Sequence, residues 1–175
     1  MLGVSTASSN SEPLVPHATL RLAALALALI TTPLLAGPPW ISIEIPANPL
    51  DRTTRGALLL VHSYHHADPT SFPITGTAEG LVNGERRSVP LAFERTSRPG
   101  VYALRNQWGE TGDWTLVITV TQAQDDVAQA MVRLSGSRVL GVTVPTRADR
   151  EGAFPRRITA QEIEASLRQG SGPGR

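Results

Sequence analysis

The sequence predicts an all-β chain, an immunoglobulin-like antiparallel β-sandwich of about seven to eight strands. Three observations carry that expectation. In residues 114–120, Trp114, Leu116, Ile118 and Val120 share one face, while Thr115, Thr119 and Thr121 alternate on the other; this is the period of two of a half-buried strand. Asn83-Gly84 stands between two alternating runs, and that dipeptide is a strong short-range hairpin signal because both residues accept positive φ. Short strand-like runs then recur at regular spacing, with turn residues between them and no convincing helix. A closed barrel is the alternative arrangement.

Taken in order, the chain opens with residues 1–16, which are small and polar without periodicity. Arg21 precedes residues 22–30, which contain no polar side chain, and Leu34-Leu35-Ala36-Gly37 closes the segment in small residues. One charge, a short apolar run and a small-residue exit are the layout of a secretory signal peptide. The run is shorter than the roughly 20 apolar residues a spanning helix needs. Residues 1–36 are therefore expected to form a signal helix cut near Ala36, with an uncleaved N-terminal anchor or a buried helix as the alternatives. Either way the protein is expected to be exported: periplasmic, cell-surface or secreted. Any membrane contact would come through this segment alone.

The sandwich is expected over residues 38–146. Ile41, Ile43 and Ile45 alternate with Ser42 and Glu44 up to Pro46, a first strand. Residues 57–61 are continuously apolar, as in a central strand covered on both faces. Residues 75–82 and the returning run with Val89, Leu91 and Phe93 flank Asn83-Gly84; Pro90 lacks an amide proton, so the returning strand belongs at a sheet edge. Residues 99–104, with Tyr102 and Leu104 on one face, are expected to pair with residues 114–120 in a central hairpin turned at residues 108–113. A further hairpin is expected from residues 127–134 and 139–144 around Ser135-Gly136-Ser137. Beyond Pro145 the pattern dissolves into an expected flexible tail, residues 147–175, except near 160–168. There Thr159 and Glu162 form a capping box, and Ile163 and Leu167 sit four apart, predicting a short C-terminal helix.

Composition narrows the function classes. The net charge is +1, which leaves no field strong enough to indicate a nucleic-acid partner. Cysteine is absent, so disulfides, thiol catalysis and zinc–thiolate sites are excluded together.

The Gly100-x-Tyr102 and Gly112-x-Trp114 spacings, late in a small exported sandwich, resemble those of the YtkA-like and FixH-like domains and, more distantly, the CopC-type sandwiches. The resemblance covers roughly residues 40–121 and is carried by a core signature. It implies a periplasmic or cell-surface location and, in some such families, a connection with copper.

His62, His65 and His66, with Asp68 beside them, are the candidate metal ligands. On a regular strand His62 and His66 share a face but lie about 13 Å apart at ~3.3 Å per residue, and His65 faces the other way. A site would need the strand to end near Tyr64, so that His65, His66 and Asp68 curl together into a weak surface site for Cu(II), an ion that imidazole and carboxylate suit. Met131 is the only methionine beyond the initiator, and Gly37-Pro38-Pro39-Trp40 would open a cleaved chain. Neither a methionine loop nor a terminal histidine adds donors. No firmly bound cofactor is expected.

Trp40, Trp108 and Trp114 raise the question of a carbohydrate or aromatic platform. Trp114 belongs to the core face, and Trp108, beside the turn, is the better candidate for exposure, with packing of the turn as its other role. Catalysis has little support: His62 and Ser63 are adjacent on a strand and face opposite ways, Asp125-Asp126 sits in a loop without a partner, and no G-x-S-x-G or H-E-x-x-H occurs. The expected function is a non-catalytic interaction module that holds a protein partner at the cell envelope. The alternative is a copper or other metal-handling accessory protein using His65, His66 and Asp68.

Overall fold

The structure, a computed structural model, describes residues 37–48, 50–150 and 152–170. The expected leader, residues 1–36, and residues 171–175 of the glycine-rich end lie outside the described residues. Twelve strands and one helix are described: β1 (Pro39–Glu44), β2 (Leu59–His65), β3 (Asp68–Pro69), β4 (Ile74–Val82), β5 (Glu85–Pro90), β6 (Glu94–Arg95), β7 (Val101–Leu104), β8 (Asp113–Ala123), β9 (Asp126–Ser135), β10 (Arg138–Thr143), β11 (Thr146–Asp149), β12 (Gly152–Pro155) and α1 (Ala160–Gly170). One five-stranded sheet has the order β1-β2-β7-β6 with β3 on β2, and the other has the order β10-β9-β8-β4-β5. All pairings are antiparallel. The two sheets share one core, so the protein is an all-β sandwich. Among the described residues no helix is long and apolar enough to cross a membrane.

The core follows from the alternation. Trp114, Leu116, Ile118 and Val120 of β8 and Ala128, Ala130, Val132 and Leu134 of β9 are buried facing Ile41, Leu59, Val61, Tyr102 and Leu104 of the other sheet. Each fully buried aliphatic side chain contributes about 1.5–3 kcal/mol. Leu60 is buried on the opposite face with Val101 and Ala103, beneath Ala47 and Ala57. That second cover explains why β2 opens with three consecutive buried residues.

Several local expectations hold. Asn83 and Gly84, at φ 52° and 84°, make the two-residue turn between β4 and β5, where I′ geometry matches strand twist. β5, which carries Pro90, is a terminal strand. Gly136 and Ser137 turn β9 into β10.

The expected central hairpin does not form. β7 pairs with β2 and β6, whereas β8 pairs with β4 and β9 in the other sheet. Residues 105–112 therefore cross between sheets. The connection exceeds the roughly 2–5 residues typical of hairpin loops, and matching apolar faces suit two strands opposed across a core as well as two strands paired side by side. Trp108 anchors this crossing: it is 7% exposed, and its Nε1 donates to the Gly136 carbonyl at 3.3 Å. It packs the turn and offers no exposed platform.

Part of the expected flexible tail also forms strands. β11 and β12 pair as a small hairpin. Their eight residues include one large apolar side chain, Phe154, too little to produce a visible alternation. α1 starts where the capping box places it, with the Glu162 amide donating to Thr159 Oγ1 at 3.2 Å.

Trp114 lies opposite Gly80 in the β4–β8 register, and its indole occupies the space a Cβ on Gly80 would need. Trp114→Ala is expected to cost about 3–5 kcal/mol. Gly80→Ala should destabilise the native protein through this clash, yet be better tolerated beside Trp114→Ala. Denaturant melts of both single variants and the double variant measure the coupling; simple additivity would mean that the indole does not depend on Gly80.

Candidate functional site

The structure divides the candidate metal ligands. β2 continues through His65, so the chain does not curl at Tyr64. His66 and Ala67 make a tight turn, with His66 at φ 54°, and Asp68 returns as the register partner of His65. His62 and Tyr64 alternate with Val61 and Ser63, which point into the sandwich, and so stand on the outer face with Leu60. His62 Nε2 donates to Glu44 Oε2 at 2.8 Å, and Arg98 Nη2 reaches the same oxygen at 3.5 Å. His62 is thereby committed to β1 rather than to the other histidines. His65 and His66 do meet, with ring centroids 4.3 Å apart in an edge arrangement. His65 also lies edge-on to Phe72, and its Nε2 is shielded from solvent without a hydrogen-bond partner. Asp68 is exposed. Among the described residues, no group of three or more His, Cys, Asp or Glu side chains is placed to hold a metal ion.

Ser63 is buried, and its hydroxyl donates to the Thr70 carbonyl at 2.7 Å, facing away from His62. Of the three tryptophans, Trp108 and Trp114 belong to the core. Trp40 is the partly exposed one, on the outer face opposite Tyr64.

A second candidate region surrounds α1. Thr115, the polar side of β8, is buried and shares a 2.7 Å hydroxyl contact with Ser166, beside the buried Leu167. Arg133 donates to Gln169 at 2.9 Å, and Arg86 is ion-paired with Glu164. Between α1 and strands β9 and β10 runs a groove of about 290 Å³, lined by Met131, Arg133, Thr143, Ala165 and Gln169. β10 borders it as the terminal strand of its sheet. A bulge between Val139 and Gly141 re-aims Leu140. Leu140 is 43% exposed and Val142 40%.

This border was not evident in the sequence. Residues 139–144 show apolar character, but whether Leu140 and Val142 are covered depends on strand order and on the bulge. Glu44 as the partner of His62 depends likewise on the β1–β2 register, for which no local signal exists.

The start of α1 carries the strongest electrostatic perturbation. Arg156 grips Glu162 with two hydrogen bonds, 3.0 Å and 2.6 Å long, and the Thr159 amide adds a third at 2.8 Å. Arg156 first and Thr159 second hold the Glu162 carboxyl down from 4.5 to about 2. A depressed carboxyl pKa stabilises the fold above the unfolded value and loses that contribution as pH falls through the folded one. Helix docking should therefore weaken between about pH 4.5 and pH 2, by a modest amount because both side chains are more than a third exposed. Glu162→Gln should flatten this part of the stability–pH profile, followed by thermal melts, and Thr159→Ala should cost about 1 kcal/mol at neutral pH. An unchanged profile in Glu162→Gln would place the acid sensitivity elsewhere.

Comparison with protein families, with curated proteins and with solved structures found no match to this chain.

Proposed function

We propose that the protein is a non-catalytic, exported interaction module of the cell envelope, built as an immunoglobulin-like sandwich, that holds a protein partner along β10. The observation that carries this reading is the exposure of Leu140 and Val142 on a terminal strand, whose Thr143 lines the α1 groove. A terminal strand presents unpaired N–H and C=O groups to which an extended segment can add. The other three termini suit this less: β6 is two residues long, β5 carries Glu85, Arg86, Arg87 and Pro90, and β1 opens with Pro39, which lacks an amide proton for the ladder, and closes with Glu44. Burying two aliphatic side chains contributes at most about 3–6 kcal/mol, against an association cost of about 4–15 kcal/mol. The groove must add to the contact, and a transient complex is the expected outcome. Export rests on the Arg21, 22–30 and Ala36 layout. The resemblance to YtkA-like and FixH-like domains rests on the two glycine–aromatic spacings; in the first, Gly100 sits at φ 68°, close against the backbone of Ser63 and Thr70.

A photo-crosslinker at position 140 should capture a specific protein in the intact envelope, and one at Arg87 on β5 should not. Leu140→Asp with Val142→Asp should abolish capture in a protein that still melts cooperatively, with a melting temperature lowered only in part because both side chains are partly covered. Equal capture from both edges would remove β10 from the proposal. Intact mass of the native protein should show a chain beginning near Gly37; a chain retaining Met1 in the cytosol would overturn export.

The meeting of His65 and His66 favours a second reading, a copper-handling accessory role. Two imidazoles fit Cu(II), but with Asp68 turned to solvent they make a weak site. Melting curves with and without Cu(II) or Zn(II) separate the readings. The interaction module predicts coincident curves at micromolar metal. A gain of about 2.7 kcal/mol at a hundredfold excess over Kd, lost in His65→Ala with His66→Ala, would put metal handling first.

A further inference from the structure

We infer that the outer face of β1 and β2 is a shallow binding site for a neutral pyranose unit of a polysaccharide, distinct from the β10 edge and independent of it. Ile41 and Ile43 of β1 pack into the core, so Trp40, Ser42 and Glu44 point outward. On β2 the outward residues beyond Leu60 are His62 and Tyr64. The register sets Trp40 opposite Tyr64 and Ser42 opposite His62, and the His62 and Tyr64 rings are nearly parallel, 11° apart in plane. Ala47 and Ala57 cover Leu60, Val101 and Ala103 on this face, while Trp40, His62 and Tyr64 remain partly exposed and Ser42 is exposed.

The chemistry of the patch selects the ligand. Trp40 and Tyr64 offer broad apolar surface with polar tips, which suits a ring having one C–H face and a rim of hydroxyls. Around them stand a hydroxyl (Ser42), a carboxylate (Glu44) and a guanidinium (Arg98). Glu44 is already matched by His62 and Arg98, so the patch carries no net negative field to attract a cation. A carboxylate has about four acceptor sites, so Glu44 can accept from sugar hydroxyls while keeping both partners. An open face with few anchors suits a chain lying across it. Single units should bind weakly, and affinity should grow with chain length through effective concentration.

The test is calorimetric titration of the full-length chain with neutral hexose and N-acetylhexosamine oligosaccharides and, as a charged arm, uronic acid oligomers. Saturable binding of at least one neutral oligomer is expected, weakened about tenfold by Trp40→Ala, the loss of about 1.4 kcal/mol, and retained in Trp40→Phe. Because Trp40→Ala removes some packing, Ser42→Arg, at an exposed position, serves as the second variant and should block binding at unchanged melting temperature. No saturable binding of any neutral oligomer, binding confined to the uronic acids, or binding that survives both Trp40→Ala and Ser42→Arg would each overturn the assignment. Capture at position 140 should be indifferent to these variants, which keeps this test separate from that of the β10 edge.

Discussion

The contact of the Trp114 indole with the bare backbone of Gly80 is the constraint on which the sandwich depends. β8 is central in its sheet, flanked by β9 on one side and β4 on the other. A large ring on a central strand needs room, and the neighbouring strand supplies it by having no side chain at the register position opposite. The indole Nε1 then donates to the Thr111 carbonyl at 2.8 Å, which ties the start of β8 to the crossing segment. Trp108 fixes the same segment to the β9–β10 turn. Two tryptophans thus hold the passage between sheets, one at its end and one at its middle, and the alternating aliphatic residues of β8 fall into the core as a consequence.

The extent to which this was legible in the sequence differs from element to element, for physical reasons. Side-chain alternation reports which face of a strand is buried, so the inward set of β8 was readable. Turn chemistry reports local backbone geometry, so the Asn83-Gly84 hairpin and the edge position of Pro90 were readable, as was the start of α1 at Thr159. Strand partnership depends on chain closure over longer distances, and here the inference failed. Residues 99–104 and 114–120 have matching apolar faces because they contribute to opposite walls of one core, and an alternation pattern does not separate that from lateral pairing. β11 and β12 are short and nearly without large apolar side chains, so they gave no signal.

The candidate sites show the same division. The sequence located an unusual group of histidines, but pairing across strands decides their neighbours. β1 brings Glu44 to His62, the tight turn at His66 brings two rings together, and Asp68 is left in solvent. Conversely, β10 gained its exposed aliphatic pair from its terminal position and its bulge, both properties of the assembled sheet. Trp108 was the better candidate for exposure in the sequence, yet it is Trp40 that the β1–β2 register sets opposite Tyr64 on an open face.

The docking of α1 has a further consequence for how the molecule opens. Among the described residues, a buried hydroxyl pair, the buried Leu167, the Arg86–Glu164 ion pair and the Arg133–Gln169 hydrogen bond hold the helix to the sheet, whereas β8 and β9 are joined along their whole length. Free energies of local opening scale with such differences in buried apolar contact. Amide protons of α1 should therefore exchange with solvent through partial openings that leave the sandwich intact, while those of β8 and β9 exchange only when the whole domain unfolds. A single melting curve would conceal these two tiers, and α1 would be exposed to a protease before the strands of the sandwich.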